Sequence, residues 1–400
     1  MRRDVYVRPI GIVPLSSDAV FEEVSGAFKL AGCAALDFTA IEVIERHGGA
    51  RSPPGETKAA DRSALGGAAV NQPGTARAHL RRRICSIGDL FERDWGRHAF
   101  QVCEGFERLC AARPRIAGLA LDRPYIMGIV NVTPDSFSDG GAHATPQAAI
   151  AHGLQLAAEG ADILDIGGES TRPGAQPVSV AEELARVIPV ITGLAGRTTA
   201  RISVDTRKAE VMAAAKEAGA HIINDVSALS HDPEALAAAA ASGLAIVLMH
   251  AQGDPRTMQQ APYYVHVVLD VFDYLEARIA ACERAGIARA RLIADPGIGF
   301  GKTLAHNLEL LASLSLFHGL GVPLLVGASR KAFIGTLTGI EEPKQRLHGS
   351  LAAALAIAAQ GAQLLRVHDV AATRRALTVW QAAMHQHQPV AAGPRSGPGA

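Results

Sequence analysis

The chain has 400 residues, with 39 basic and 39 acidic side chains and a formal net charge of zero. That balance excludes a molecule drawn as a whole to nucleic acid or an acidic membrane surface, so any anion site is local. Aromatics at 4% leave few stacking platforms for single strands, and no stretch reaches the roughly 18 apolar residues of a membrane span.

The amino-terminal third is read as an extension of unknown role over residues 1–122. Arg2 and Arg3 imitate the start of a signal peptide, but Arg8 and Pro9 break the apolar run that would follow. Residues 5–13 and 34–45 are expected to give strands and a short helix, and 87–112 a helix. Between them, 48–78 is rich in glycine, proline and alanine and has too little apolar surface to offset chain entropy, so it is expected to be flexible. Arg81, Arg82 and Arg83 read as a solvated face. The five cysteines, Cys33, Cys85, Cys103, Cys110 and Cys282, form no CxxC pair, which points to a reducing cytoplasm rather than a disulfide or zinc framework.

From Arg123 the chain alternates short β-rich runs with helical stretches. The runs are 125–132, 163–166, 201–204, 221–224, 244–250, 291–294, 323–326 and 364–367. Helical stretches include 146–159, 180–194, 207–218, 233–241, 265–285 and 345–360. Thr145 before Pro146 signals a capped helix start, while Gly160, Gly219, Gly243, Gly286 and Gly361 stand where helices end. Eight such units over 123–387 predict an α/β fold of the (β/α)8 TIM barrel type, with strands buried on both faces. The rival, an open doubly wound sheet, lacks its GxGxxG fingerprint. The tail 388–400 reads as disordered, and His385 and His387 before it as exposed histidines, not metal ligands.

In such a barrel the chemistry lies at the carboxyl ends of the strands. Those positions carry Asn131 with Asp135, Glu169 to Arg172, Asp205, Asn224 with Asp225, His250, Asp295, the Ser329-Arg330-Lys331 turn, and Arg366 with His368. Helix caps explain an Asp or Asn at each, but not Arg172, Lys331, Arg366 and His368, since cations are disfavoured at a helix start. These cations fit a ligand with phosphates at one end, above an Asp/Asn floor that fixes a donor-rich ring. DPGIGFGKT from Asp295 is not a nucleotide loop, because Pro296 stands where glycine is required; Phe300 is expected to line a wall.

MGIVNVTPDSFSDGG (127–141), IGGESTRPGA (166–175), SVDTRK (203–208), INDVSA (223–228), DPGIGFGK (295–302), GASRKAFIG (327–335) and RVHDV (366–370) together resemble the dihydropteroate synthase family, in order, across about 122–383. The resemblance implies a homodimeric barrel enzyme of folate synthesis. It would condense 6-hydroxymethyl-7,8-dihydropterin diphosphate with 4-aminobenzoate and release pyrophosphate. It implies Asn131 as the Mg2+ contact, and Thr171, Arg172, Arg366 and His368 as the diphosphate grip. Asp205, Asn224, Asp295 and Lys331 would hold the pterin, with Met249 as an apolar wall. Loops carrying Asp135, Phe137 and Pro173 would close over the site and seat the aminobenzoate. The expected catalytic set is Arg172, Lys331, Arg366 and His368, which would stabilise charge on departing diphosphate without an enzyme nucleophile.

This chain departs from the family pattern at Ala332, where a serine often follows the lysine and helps seat the aminobenzoate carboxylate, and at Ala251 and Asp254. Two other readings stand beside the leading one. A methyltetrahydrofolate-type methyltransferase barrel would share the pterin floor but needs no diphosphate grip. A catalytically idle pterin-binding barrel would act through its amino-terminal region.

Overall fold

The computed structural model describes residues 3–14, 27–32, 36–47, 79–132, 145–170, 176–253 and 257–384. The stretch 48–78, the tail with His385 and His387, and Cys33 lie outside them. The extension builds an antiparallel sheet. β1 (Val5–Pro14) pairs with β3 (Leu36–His47), which also takes β2 (Phe28–Lys29) and β4 (His79–Ser86). Period-two alternation sends Val5, Val7, Ile41, Val43 and Cys85 to a core under two helices, while Tyr6 and Ile44 join the barrel's core.

One expectation is corrected here. Residues 87–112 form not one helix but two, α1 (Ile87–Glu92) and α2 (Ala99–Cys110). Asp94 accepts a bond from the Gly96 amide at 2.7 Å, Gly96 takes a φ of 50°, and the Trp95 indole donates back to the Leu90 carbonyl at 2.8 Å, which fixes a turn between them. Arg81 and Arg82 are exposed and Arg83 is half-buried, so they form the expected solvated face. They lie in β4, where Arg81 is opposite Glu45 and Arg82 bonds Glu42 at 3.3 Å.

The barrel follows in β5 (Tyr125–Asn131), β6 (Ile163–Gly167), β7 (Arg201–Asp205), β8 (Ile222–Asp225), β9 (Ala245–Met249), β10 (Leu292–Asp295), β11 (Leu325–Val326) and β12 (Leu364–Val367). All pair in parallel, in the order β10-β9-β8-β7-β6-β5-β12-β11. A parallel bridge from Ala294 to Leu324, with the Ala294 amide donating to the Pro323 carbonyl at 2.9 Å, closes the ring. Tyr125, Met127, Ile163, Ile222, Val247, Ile293 and Leu364 fill the interior, while alternate residues such as Ile126, Leu164 and Ile202 pack under the helices. Both faces are therefore dry, which is why the strands read as unbroken apolar runs. Ile116 and Leu121, both buried, plug the amino-terminal end, and the opposite end is left for chemistry.

Around the ring run α3 (Pro146–Ala158), α4 (Val180–Leu194), α5 (Ala209–Glu217), α6 (Ala235–Ser242), α7 (Val267–Arg284), α8 (Leu304–Ala312), α9 (Ala332–Thr338), α10 (Leu347–Ala358) and α11 (Val370–Met384). Thr145 caps α3 as expected, its hydroxyl accepting from the Ala148 amide at 3.2 Å. Helix α7 carries Asp270, Asp273 and Glu276 on one stripe, and the extension meets that stripe with cations. Arg46 bonds Asp273 at 2.8 Å and lies 3.5 Å from Asp270, and Arg3 bridges Glu276 and Glu104 at 2.7 Å each. Tyr6 donates to Asp273 at 2.7 Å and meets Phe272 edge to face at 5.4 Å. Among the described residues no helix is long and apolar enough to cross a membrane.

Candidate active site

Strand register fixes the floor of the mouth. Asn131 lies opposite Gly167, Gly167 opposite Asp205, and Asp205 opposite Asn224, so three expected site residues share one ring. Two residues earlier on the same face of β6 sits Asp165, wholly buried. Its Oδ2 accepts from Arg366 Nε at 2.7 Å and from Asn224 Nδ2 at 3.0 Å. Arg366 Nη2 donates to Asp205 Oδ2 at 2.8 Å. One guanidinium is thus forked between two carboxylates, and no Nη1 partner occurs among the described residues.

This refines the expected separation of a basic rim from an acidic floor: Arg366 reaches into the floor itself. The cause is electrostatic, since Asp165 and Asp205 so deep in the barrel need a counter-charge. Burial raises the Asp205 carboxyl above the usual range, against the pull of Arg366 and with help from Asp165, Glu183 and Asp225. Burial disfavours the Arg366 charge, but Asp165 and Asp205 outweigh it and keep the guanidinium protonated.

Asp295, opposite Met249 in the β9–β10 register, opens the second part of the site. Its Oδ1 accepts from the Gly297 amide at 2.7 Å. Gly297 has a φ of 66°, and a Cβ there would stand 1.9 Å from the His250 carbonyl, so only glycine makes this turn. Lys331 comes from the turn after the neighbouring strand β11: its ammonium donates to the Ile298 carbonyl and lies 4.8 Å from the Phe300 ring centroid. Burial lowers the Lys331 pKa to about 8, although Asp295 opposes the shift, and burial raises that of Asp295 in turn. Asp295 and Phe300, on one loop, are brought together with Lys331 from the next repeat.

Beneath that loop lies Lys302, 3% exposed. Its ammonium donates to the carbonyls of Gly297 at 2.8 Å, Phe300 at 3.0 Å and His250 at 3.3 Å, and sits 3.0 Å from His250 Nδ1. The His250 ring packs edge to face on Tyr274 at 4.8 Å, and burial followed by the Lys302 charge keeps it far below its ordinary pKa, hence neutral.

Other strand-exit residues do structural work. Ser329 Oγ meets the His368 amide at 3.2 Å and Nδ1 at 3.1 Å, holding His368 beside the turn that carries Lys331. Arg330, at a φ of 59°, turns to Asp369, its Nε 3.0 Å from Oδ2. Glu169 is paired to Arg207 at 2.9 Å and Lys208 at 3.0 Å. Asp225 takes the ordinary capping role, accepting from the amides of Ser227 at 2.6 Å and Leu229 at 3.0 Å. Ala332 is exposed at the first position of α9. Asp135, Phe137, Thr171, Arg172, Pro173 and Asp254 lie outside the described residues.

Sequence reasoning missed two residues. Asp165 sits inside a strand, ILDIG, away from the strand ends where a polar residue signals a site, yet a carboxylate in a strand buried on both faces demands a cation or amide partner. Lys302 was noticed only as the last letter of a motif.

A closed parallel barrel whose mouth gathers carboxylate, amide and cationic groups from at least six strand exits defines an α/β barrel enzyme built for a small polar ligand. The model of the pterin binding enzyme family matches residues 127–368. Dihydropteroate synthase of Escherichia coli K12 is 54% identical over 266 residues, which is 66% of this chain and 94% of that protein. The solved Xanthomonas albilineans dihydropteroate synthase with 4-aminobenzoic acid is 59% identical, with a TM-score of 0.65, covering 69% of this chain and 99% of that one. The same enzyme in complex with 7,8-dihydropteroate matches at 57% identity and a TM-score of 0.63, over 69% of this chain and 100% of that one. This chain belongs to the pterin binding enzyme family, and its activity is that of a dihydropteroate synthase, a transferase of folate biosynthesis.

Proposed function

We propose that the chain joins 6-hydroxymethyl-7,8-dihydropterin diphosphate to 4-aminobenzoate, giving 7,8-dihydropteroate and pyrophosphate. One observation carries the reading: Arg366 is forked between Asp165 and Asp205 in the floor that also holds Asn224. Asp295 presents acceptor oxygens to the amino-pyrimidine edge of a pterin, and Asn224 both donates and accepts. Met249 and Phe300 flank the ring, and Lys331 completes its polar edge. Arg366 and His368, with Thr171 and Arg172, grip the diphosphate. The loops of Asp135, Phe137 and Pro173 seat the aminobenzoate and exclude water.

The C–O bond to diphosphate breaks first, its electron pair leaving with the diphosphate. The ring nitrogens stabilise the methylene cation that remains. The arylamine lone pair then forms the new C–N bond, and the nitrogen's proton passes to the pyrophosphate and leaves with it. Arg366 and His368 are already in place where negative charge accumulates, so little reorganisation is needed at that moment.

The donor set suits Mg2+: Asn131, half-buried at the β5 exit, offers a neutral amide oxygen, a hard donor. A hard cation held by one side chain, with water and diphosphate supplying the rest, would neutralise charge on the leaving group. We place the enzyme, by family, as a cytoplasmic homodimer, with residues 1–122 forming an extension to the catalytic barrel 123–387.

Pyrophosphate release and product formation, measured with each substrate omitted in turn and with and without Mg2+, test this reading. Turnover requires both organic substrates. Methyl transfer from methyltetrahydrofolate, or stoichiometric pterin binding without turnover, would replace it with one of the two other readings.

A further inference from the structure

We infer that Lys302 is a positioning residue for the pterin, one that never touches it but sets where Asp295 and Phe300 stand. This rests on the pterin reading above and asks which residue holds that site in shape. The ammonium is enclosed by four acceptors, three carbonyls and His250 Nδ1, all within 3.3 Å, and the residue is 3% exposed, so no ligand reaches it. Three N–H bonds shared among these acceptors tie the turn after Asp295 to the exit of β9. Nothing else among the described residues links the carbonyls of Gly297 and Phe300 to His250.

The turn needs such a tie. Its backbone runs through three glycines at positive φ, Gly297, Gly299 and Gly301, so it has little conformational preference of its own. Among the described residues the Phe300 carbonyl has Lys302 as its donor, the Gly297 carbonyl adds Lys302 to the Phe300 amide at 3.1 Å, and the carbonyls of Gly299 and Gly301 are held by Gln259 at 2.6 Å and Tyr264 at 2.8 Å, so Lys302 is the inner tie of the turn. A single lysine binds two of these carbonyls, and by doing so fixes the backbone on which Asp295 and Phe300 ride. The carbonyl of Ile298, between the two, is then left for Lys331. Lys302 thus governs the placement of three pterin-facing groups.

The test uses the full-length protein with Lys302→Met, which keeps an unbranched apolar stem but removes every donor. Arg291→Ala serves as the control. Arg291 sits at the opposite end of the barrel, donating to the carbonyls of Leu244 at 2.8 Å and Ala239 at 2.9 Å, so its loss lowers stability without reaching the mouth. Binding of 6-hydroxymethylpterin, which lacks diphosphate, is measured by calorimetry, and KM and kcat with both substrates. The expected result is pterin affinity weakened about tenfold and pterin KM raised in parallel, with aminobenzoate KM changed less than threefold, because small misplacements at a site have costs of this order. Arg291→Ala keeps both constants. Should Lys302→Met fail to fold, Lys302→Gln retains two donors on a shorter side chain and gives the same pattern at smaller amplitude. A folded Lys302 variant whose pterin affinity stays within twofold of the Arg291→Ala protein overturns the inference. Absence of pterin-dependent turnover in the unmutated protein would instead sink the functional reading beneath it.

Discussion

Two arginines, Arg366 in the mouth and Arg46 at the seam, have nearly the same partners and opposite purposes. Arg366 lies between Asp165 and Asp205, Arg46 between Asp273 and Asp270. The difference is enclosure. The Arg366 side chain is 23% exposed, while that of Arg46 is 5% exposed, with Tyr6 stacked 5.2 Å from its guanidinium carbon. A carboxylate pair that leaves one edge of an arginine open orients a cation for a ligand. A pair that closes around it makes an adhesive between the extension's sheet and helix α7 of the barrel. Ion pairing alone therefore says nothing of function; the open edge does.

Truncating each arginine in turn separates the two roles. Arg366→Ala removes a cation from the leaving-group side and strands two buried acids, so kcat/KM should fall by about 10²–10³ and the protein should also lose stability. Arg46→Ala should cost about 3 kcal/mol of unfolding free energy in urea titrations, since it leaves Asp270 and Asp273 against an apolar seam, with kcat/KM within twofold of wild type. Equal losses of activity in the two variants would mean that the seam and the mouth are not separable.

How much of this was legible follows from the same contrast. Strand exits were readable because a polar residue after an apolar run is a local signal, and Asn131, Asp205, Asn224 and Asp295 stand where that signal put them. Asp165 was not, because its meaning depends on Arg366, 201 residues away. The acidic stripe of α7 is visible in DVFDYLE, but its partners Arg3, Arg46 and Arg108 are scattered over the extension, 168 to 273 residues away. Barrel periodicity is written in every repeat. The seam is written once, in charges whose partners only the fold supplies.

A subtler difference concerns titration. Lys331 has a pKa near 8 and so carries full charge only below it. Pterin KM should rise as pH passes 8, and Lys331→Arg, which does not titrate there, should flatten that rise. The stability linkage has the other sign: the lysine's pKa falls from its ordinary value of 10.5 on folding, so its charge opposes folding below pH 8, and that penalty is relieved between pH 8 and 10.5. Pterin affinity and the Lys331 contribution to unbound stability should therefore move in opposite directions across this window. Parallel movement in wild type, or a KM that ignores pH in this range, would remove Lys331 from the pterin site.

The smallest effect is expected at Ala332. Its side chain is exposed at the start of α9, and it directly follows the lysine that enters the site. A hydroxyl here could donate to the aminobenzoate carboxylate while the neighbouring backbone keeps its course, because serine is tolerated at a helix start. Since the position is wet, the gain is that of one solvent-competed hydrogen bond, about 0.5–1 kcal/mol. Ala332→Ser should thus lower aminobenzoate KM about two- to fivefold, leave pterin KM unchanged, and leave unfolding free energy within about 0.5 kcal/mol. A change confined to pterin KM would mean that the first turn of α9 faces the ring and not the carboxylate. No change in either would mean that this chain seats the carboxylate without help from that turn, and that its alanine is a neutral departure from the family pattern.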